Sequence, residues 1–216
     1  MQPQDIEQRT DAWHQQRLGK ATASKIADIM ARTKSGFSTS RANYAAQLIT
    51  ERLTGTVAES FTSAAMNWGN DTEPQARSMY SFLFNEQVEE TGFHNHPKIA
   101  MSGASPDGLV GSDGLIEIKC PNSATHIETL RGGSIADKYI KQMMWQMACT
   151  GRLWCDFASF DPRMPEPMQL FVQRVERDGA MISAMETEVA TFLGEVDDAV
   201  RELESKYLPY PILAAG

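Results

Sequence analysis

The sequence lacks what a covalently stapled or membrane-bound protein needs. Its cysteines, Cys120, Cys149 and Cys155, are odd in number and form no C-x-x-C pair, which argues against a disulfide framework and a zinc knuckle and reads as reduced, buried thiols. No stretch approaches the roughly eighteen consecutive apolar residues of a membrane span. The opening MQPQDIEQRT has no basic segment running into an apolar one, so a cytoplasmic location without membrane association is expected. Repeats, low-complexity tracts and linkers are also lacking, so the 216 residues, 42% of them hydrophobic, are expected to form one domain. The four tryptophans, Trp13, Trp68, Trp145 and Trp154, read as core residues more simply than as a base-stacking surface.

Positive charge is scarce overall, with a net charge of −8, which argues mildly against a protein that coats nucleic acid. Its distribution is uneven. Residues 9–41 carry Arg9, Arg17, Lys20, Lys25, Arg32, Lys34 and Arg41 against only Asp11 and Asp28, whereas acids outnumber bases in residues 176–206. A basic N-terminal third of this kind can focus a positive field along one cleft while an acidic last helix turns outward, although two solvated helical faces would look the same in sequence.

The pattern of elements is mixed α/β: a central mixed sheet flanked by helices. A helical part runs to about residue 85, a sheet core spans about 86–176, and a closing helix occupies about 178–206. Ser24 is placed to cap a helix through Arg32, residues 33–39 read as a mobile loop, and a second helix with Tyr44, Leu48, Ile49 and Leu53 on one face ends at Gly55. Thr72-Glu73-Pro74 looks like a helix start, because proline is tolerated in a first turn. Strands are expected near 87–91, 98–102, 106–110 and 115–119, then a helix from Ser134 to Gly151 and two strands across DPRMPEP. The final helix repeats Ile182, Met185, Val189, Phe192, Val196, Val200 and Leu203 every three or four residues. The terminal LPYPILAAG is apolar and suggests packing against this subunit or a neighbour.

The most informative stretch is SPDGLVGSDGLIEIKC, residues 105–120, two apolar runs around a Gly-Ser-Asp-Gly turn. A turn centred near Ser112-Asp113 places Asp107 opposite Ile118 to within about one residue. Glu117 and Lys119 share one strand face, and Ile116 and Ile118 take the other. Two carboxylates and an ammonium therefore converge, and acids that close repel unless a proton or a cation lies between them. Hard oxygen donors without His or Cys select Mg2+, with Mn2+ as substitute, and such ions serve phosphodiester chemistry. Lys119 would position or deprotonate the attacking water or steady charge on the phosphate. A chemically silent surface Lys–Glu pair is the plainer alternative for a bare E-x-K.

S-P-D-G followed by E-I-K resembles the PD-(D/E)xK nuclease signature, which implies a restriction-endonuclease-like core. The ordered blocks D-A-W-H-x-x-R-L-G with T-A-S (Asp11 to Ser24), W-G-x-x-x-E (Trp68 to Glu73), S-P-D-G, E-x-K-C-P, Y-x-x-Q (Tyr139 to Gln142) and F-D-P-R-M (Phe160 to Met164) are similar to those of the lambda-type phage recombination exonucleases. That resemblance implies a Mg2+-dependent, processive 5′→3′ exonuclease acting on double-stranded DNA ends with a 5′-phosphate. It also implies a phage or prophage origin, a ring-shaped homotrimer and a single-strand annealing recombinase as partner. Carried over by residue, Asp107, Glu117 and the main-chain carbonyl of Ile118 would ligate metal and Lys119 would be catalytic. Glu73, expected at its helix N-terminus, would complete the acid cluster partly through water. Arg17, Ser24 and Ser105 would hold the terminal phosphate, Tyr139 and Gln142 would face the site, and Lys34 would lie in a DNA-contacting loop whose T-K-S-G-F departs from the family pattern. A sequence-specific endonuclease or junction resolvase would share the metal site, and a non-catalytic DNA-binding or annealing module would need no metal.

Overall fold

The computed structural model describes residues 5–34, 36–57 and 63–208; the apolar residues 209–216 lie outside the described residues, as does Ser35. The first helix, α1 (Asp11–Arg17), is capped by Thr10, whose hydroxyl accepts the Trp13 N–H. Strand β1 (Ala21–Thr22) follows, then a 3-10 turn over Ala23–Lys25 and the short helix α2 (Ile26–Met30). Ser24 is therefore not a cap, and the helix stops short of Arg32. Parallel pairing of Ala21 and Thr22 with Ser102 and Gly103 keeps the chain extended to Thr22, so the turn can begin only at Ala23.

The expected loop is a small hairpin of β2 (Arg32–Thr33) and β3 (Gly36–Phe37), with the Phe37 ring 4.3 Å from the Arg32 guanidinium and 3.9 Å from that of Arg41. Helix α3 (Thr39–Thr54) ends as expected at left-handed Gly55 (φ 65°), with Tyr44 and Leu48 buried but Leu53 exposed. Helix α4 (Ala64–Phe84) overturns the expected start at Thr72: Ser63 caps it, and Pro74 sits inside it. An internal proline costs about 3 kcal/mol. Burial of Ala76 and Tyr80 against the sheet offsets that cost.

The strands after α4 are β4 (Val88–Glu89), β5 (His94–Asn95), β6 (Ser102–Ala104), β7 (Gly108–Val110) and β8 (Gly114–Lys119). Residues 98–101 form a turn, not the expected strand, because the His96 imidazole accepts the N–H groups of Lys98 and Ile99, both at 3.2 Å. Helix α5 (Ser123–Leu130), which the sequence reading missed, is capped by Asn122. It is pinned by buried His126, bonded to the Ser159 hydroxyl and the Met168 carbonyl. Helix α6 (Asp137–Thr150) starts three residues after Ser134 and ends at left-handed Gly151. Strands β9 (Trp154–Phe160) and β10 (Leu170–Glu176) and the long helix α7 (Gly179–Tyr207) complete the chain as expected.

The main sheet has the order β10-β9-β8-β7-β4, with β8 and β9 parallel and the other pairs antiparallel. Both its faces are covered. Ile116 and Ile118 of β8 join Ala76 and Tyr80 of α4 on one side, while Leu115 packs in the larger core with α2, α3, α6 and α7. Trp13 and Trp145 are core residues, whereas Trp68 and Trp154 are half-buried with the guanidinium of Arg163 or Arg174 over their rings. Cys155 is buried and Cys120 and Cys149 only partly so, all three free.

The acidic last helix does not turn away from the basic third. Arg32 and Arg41 pair with Glu188, Arg41 also with Glu195, and Arg52 with Asp197, because α3 and α7 pack together and their opposite charges meet at the seam.

Candidate active site

The charged hairpin folds as β7 and β8 in a register that pairs Gly108 with Ile116, which puts Asp107 opposite Glu117, one residue from the expected Ile118. Asp107 is tied to the neighbouring peptide instead, its Oδ2 accepting the Ile118 N–H at 2.7 Å. Glu117 is fully buried and points toward α6. Gln142 donates to its Oε1 at 2.7 Å, Gln146 donates to its Oε2 at 2.6 Å, and Lys119 forms an ion pair with Oε1. Tyr139, one turn before Gln142, lies with its ring 5.1 Å from the Lys119 ammonium. Asp107, Glu117, Lys119, Tyr139 and Gln142 thus come together, as their shared faces predict.

Burial, with the charges of Glu117 and Glu73 behind it, pushes the Asp107 carboxyl well above its ordinary pKa. Burial also disfavours the Lys119 cation, but Glu117 and Asp107 outweigh it and hold that pKa above the usual lysine value. Two buried acids thus face one ammonium, which Glu117 engages, and Asp107 is pushed toward its protonated form. A divalent cation answers that imbalance, and the donors available, carboxylate and main-chain oxygen, suit Mg2+ or Mn2+. Among the described residues, no three His, Cys, Asp or Glu side chains form a ready-made metal cage. Glu73 is not at a helix N-terminus; it sits in mid-α4 with Oε2 held by Arg9 at 2.5 Å and Oε1 by Arg77 at 2.6 Å. Two carboxylates, a peptide carbonyl and water fit an ion that commonly keeps several waters.

A second group of residues lines a cleft of ≈ 430 Å3 that includes Arg9, Trp13, Arg17, Ser24, Lys25 and Asn70. Arg17 lies over the Trp13 ring, its guanidinium carbon 3.8 Å from the centroid, and among the described residues no carboxylate pairs with it. Burial draws its pKa down to about 10, with Tyr44 and Glu51 pulling the other way, so it remains a cation at neutral pH. Glu51 is close but is spent on the Gly19 N–H and the Gln47 amide. Ser105 does not line this cleft; its hydroxyl accepts the Trp13 indole N–H at 2.9 Å, at the edge of the ring whose face carries Arg17. Lys34 is exposed on the β2–β3 hairpin and does not line this cleft. Gln146 was not among the expected site residues, although its i+4 spacing from Gln142 signalled it, and Arg9, at φ 70°, was expected only as one of the basic N-terminal residues and not as a partner of Glu73.

Residues 12–153 match the YqaJ-like viral recombinase domain, about two thirds of the chain. The chain belongs to that family. The recombinase domain contains every candidate site residue from Arg17 to Gln142 and also Gln146, leaving β9, β10 and α7 outside. Among solved structures, the chain is similar to an alkaline exonuclease from Laribacter hongkongensis, LHK-Exo, at 53% identity and TM-score 0.86, over 92% of this chain and 98% of that one. The same figures hold for LHK-Exo in complex with dAMP. A phage-related exonuclease from Haemophilus somnus 129PT shares the fold at 16% identity and TM-score 0.66, over 85% of this chain and 96% of that one. No curated protein matches the chain. Among the described residues, no helix is long and apolar enough to cross a membrane.

Proposed function

We propose that this recombinase-family protein is a metal-dependent exonuclease of the PD-(D/E)xK type. It degrades one strand of linear double-stranded DNA in the 5′→3′ direction, processively, and leaves 3′ single strands for annealing recombination. The observation that carries this reading is the meeting of Asp107, Glu117 and Lys119 at one end of the β7–β8 hairpin, two acids to one ammonium. Asp107, Glu117 and the Ile118 carbonyl would hold Mg2+ (or Mn2+), with Glu73 contributing through water. When bound, the ion lowers the pKa of a water and offsets charge on the scissile phosphate. Lys119, with its pKa held up by the two acids, serves as a fixed positive charge and hydrogen-bond donor to the phosphate rather than as a base. Gln142 fixes the Glu117 carboxylate, and Tyr139 walls the lysine.

Attack of water on phosphorus and departure of the 3′-oxygen release a 5′-mononucleotide and leave a 5′-phosphate on the next residue. An anion pocket at Arg17 and Ser24, with Ser105 at the edge of the Trp13 ring, suits that phosphate, because the guanidinium is half-buried and, among the described residues, has no carboxylate partner. Each cut thus regenerates the group the pocket binds, a physical basis for repeated cutting. The capture of dAMP by the 53% identical relative supports a mononucleotide product. Lys34, exposed on its hairpin, would touch the duplex. The homotrimer ring and the single-strand annealing partner rest on the lambda-type resemblance, as does a bacterial cytoplasmic setting.

Linear duplex labelled separately on each strand, incubated with and without Mg2+, tests the reading. Mononucleotides should appear from the 5′-ended strand only, with Mg2+ only, while closed circles stay intact. Digestion in EDTA, loss from the 3′ end, or cutting of closed circles would overturn it.

A further inference from the structure

Helix α6 presents two glutamines to Glu117, and only Gln142 falls in a block shared with the lambda-type exonucleases. Gln146 is fully buried within a run in which Met143, Met144, Trp145 and Met147 are buried too. An apolar residue would fill that place without desolvating an amide, so the amide needs a reason. Both of its ends are engaged. Its Nε2 donates to Glu117 Oε2 at 2.6 Å, and its Oε1 faces the buried Cys155 thiol at 4.0 Å. The thiol on one side and the carboxylate on the other fix which way the amide points.

An ionised carboxylate has about four acceptor positions. On Glu117, Gln142 and Lys119 both use Oε1 and Gln146 uses one position of Oε2, so the position left over belongs to the oxygen that Gln146 holds. We infer that Gln146 is a positioning residue: by gripping Oε2 it sets the direction of the last open acceptor of Glu117 and so the affinity of the site for a divalent cation. The inference rests on the metal-dependent reading above.

The test is Gln146→Met, which keeps the length and loses the donor, with Gln146→Ala beside it, where a water can stand in for the amide. Mn2+ binding by calorimetry or electron paramagnetic resonance, the Mg2+ concentration for half-maximal digestion, and thermal melting are measured on each. The methionine variant should fold and bind Mn2+ about ten-fold or more weakly, in line with the loss of a group that orients a metal ligand. Its half-saturating Mg2+ should rise by a similar factor, with a smaller drop in rate at saturating Mg2+; the alanine variant should shift the same way by less. A folded variant that binds Mn2+ as tightly as wild type overturns the inference, and so does failure of both variants to fold, since Gln146 would then be a structural residue. If wild type itself binds no Mn2+, the metal-dependent reading falls instead; tight wild-type binding with unshifted variants removes Gln146 alone.

Discussion

Asp107 accepts the Ile118 N–H at 2.7 Å across a hairpin whose register sets it opposite Glu117. One peptide therefore separates a carboxylate on each side, and Lys119 follows directly. That local arrangement gathers opposed charges before any partner arrives.

Lys119→Ala should reduce hydrolysis of linear duplex by about 10³-fold, the scale of losing one fixed charge-stabilising group, while leaving DNA binding intact. Strand release and gel shift on one preparation check both halves. Digestion at the wild-type rate would remove the lysine from the chemistry.

Arg17→Ala should erase the preference for phosphorylated 5′ ends. A charge-assisted bond contributes about 1.5–3 kcal/mol, or about 10- to 100-fold. Initial rates on 5′-phosphate and 5′-hydroxyl duplexes of the same sequence measure it, and a ratio unchanged from wild type would place the terminal phosphate elsewhere.

Asp107→Asn should trade activity for stability. The folded-state pKa of Asp107 is raised, so between the ordinary carboxylate pKa of 3.8 and its folded value the native state holds a proton that the unfolded state has lost, and stability falls as pH rises through that window. Above it the ionised, buried acid is a net cost in the metal-free protein, and asparagine removes that cost while its side-chain oxygen can still accept the Ile118 N–H. Melting in EDTA should show the variant more stable than wild type at pH 8, by about 2–4 °C per kcal/mol relieved, with no gain at pH 3. A lower melting temperature at pH 8 would contradict it.

Cys120 should be inert despite its partial exposure. Burial, then Glu73 and Asp107, push its thiol up to about 12, so almost none is thiolate at pH 8. Alkylation of the native protein at Cys120 should run at least about 100-fold slower than that of the denatured protein, read by peptide mass spectrometry. Equal rates would show that the negative charge around it is absent.

Much of this was legible beforehand because it rests on period and spacing. The alternation in GLIEIK assigned Ile116 and Ile118 to one face and Glu117 and Lys119 to the other, and Tyr139 and Gln142 shared a helical face. The misses have a common physical origin in contacts between distant segments. A parallel bridge to β6 shifted the helix start at Ser24, and the imidazole of His96 built a turn where a strand was expected. Packing of Ala76 and Tyr80 carried α4 through Pro74.

By itself the sequence determined the mixed α/β order, the long amphipathic α7 and the convergence of Asp107, Glu117 and Lys119, since each follows from side chains alternating along one strand or recurring along one helix. Only the tertiary structure decided that Glu73 is held by Arg9 and Arg77, that Arg32, Arg41 and Arg52 are paired with α7 while Arg17, among the described residues, is left without a carboxylate, and that Gln146 grips Glu117. Which charge finds a partner depends on which helices pack together, and that is a property of the assembled core.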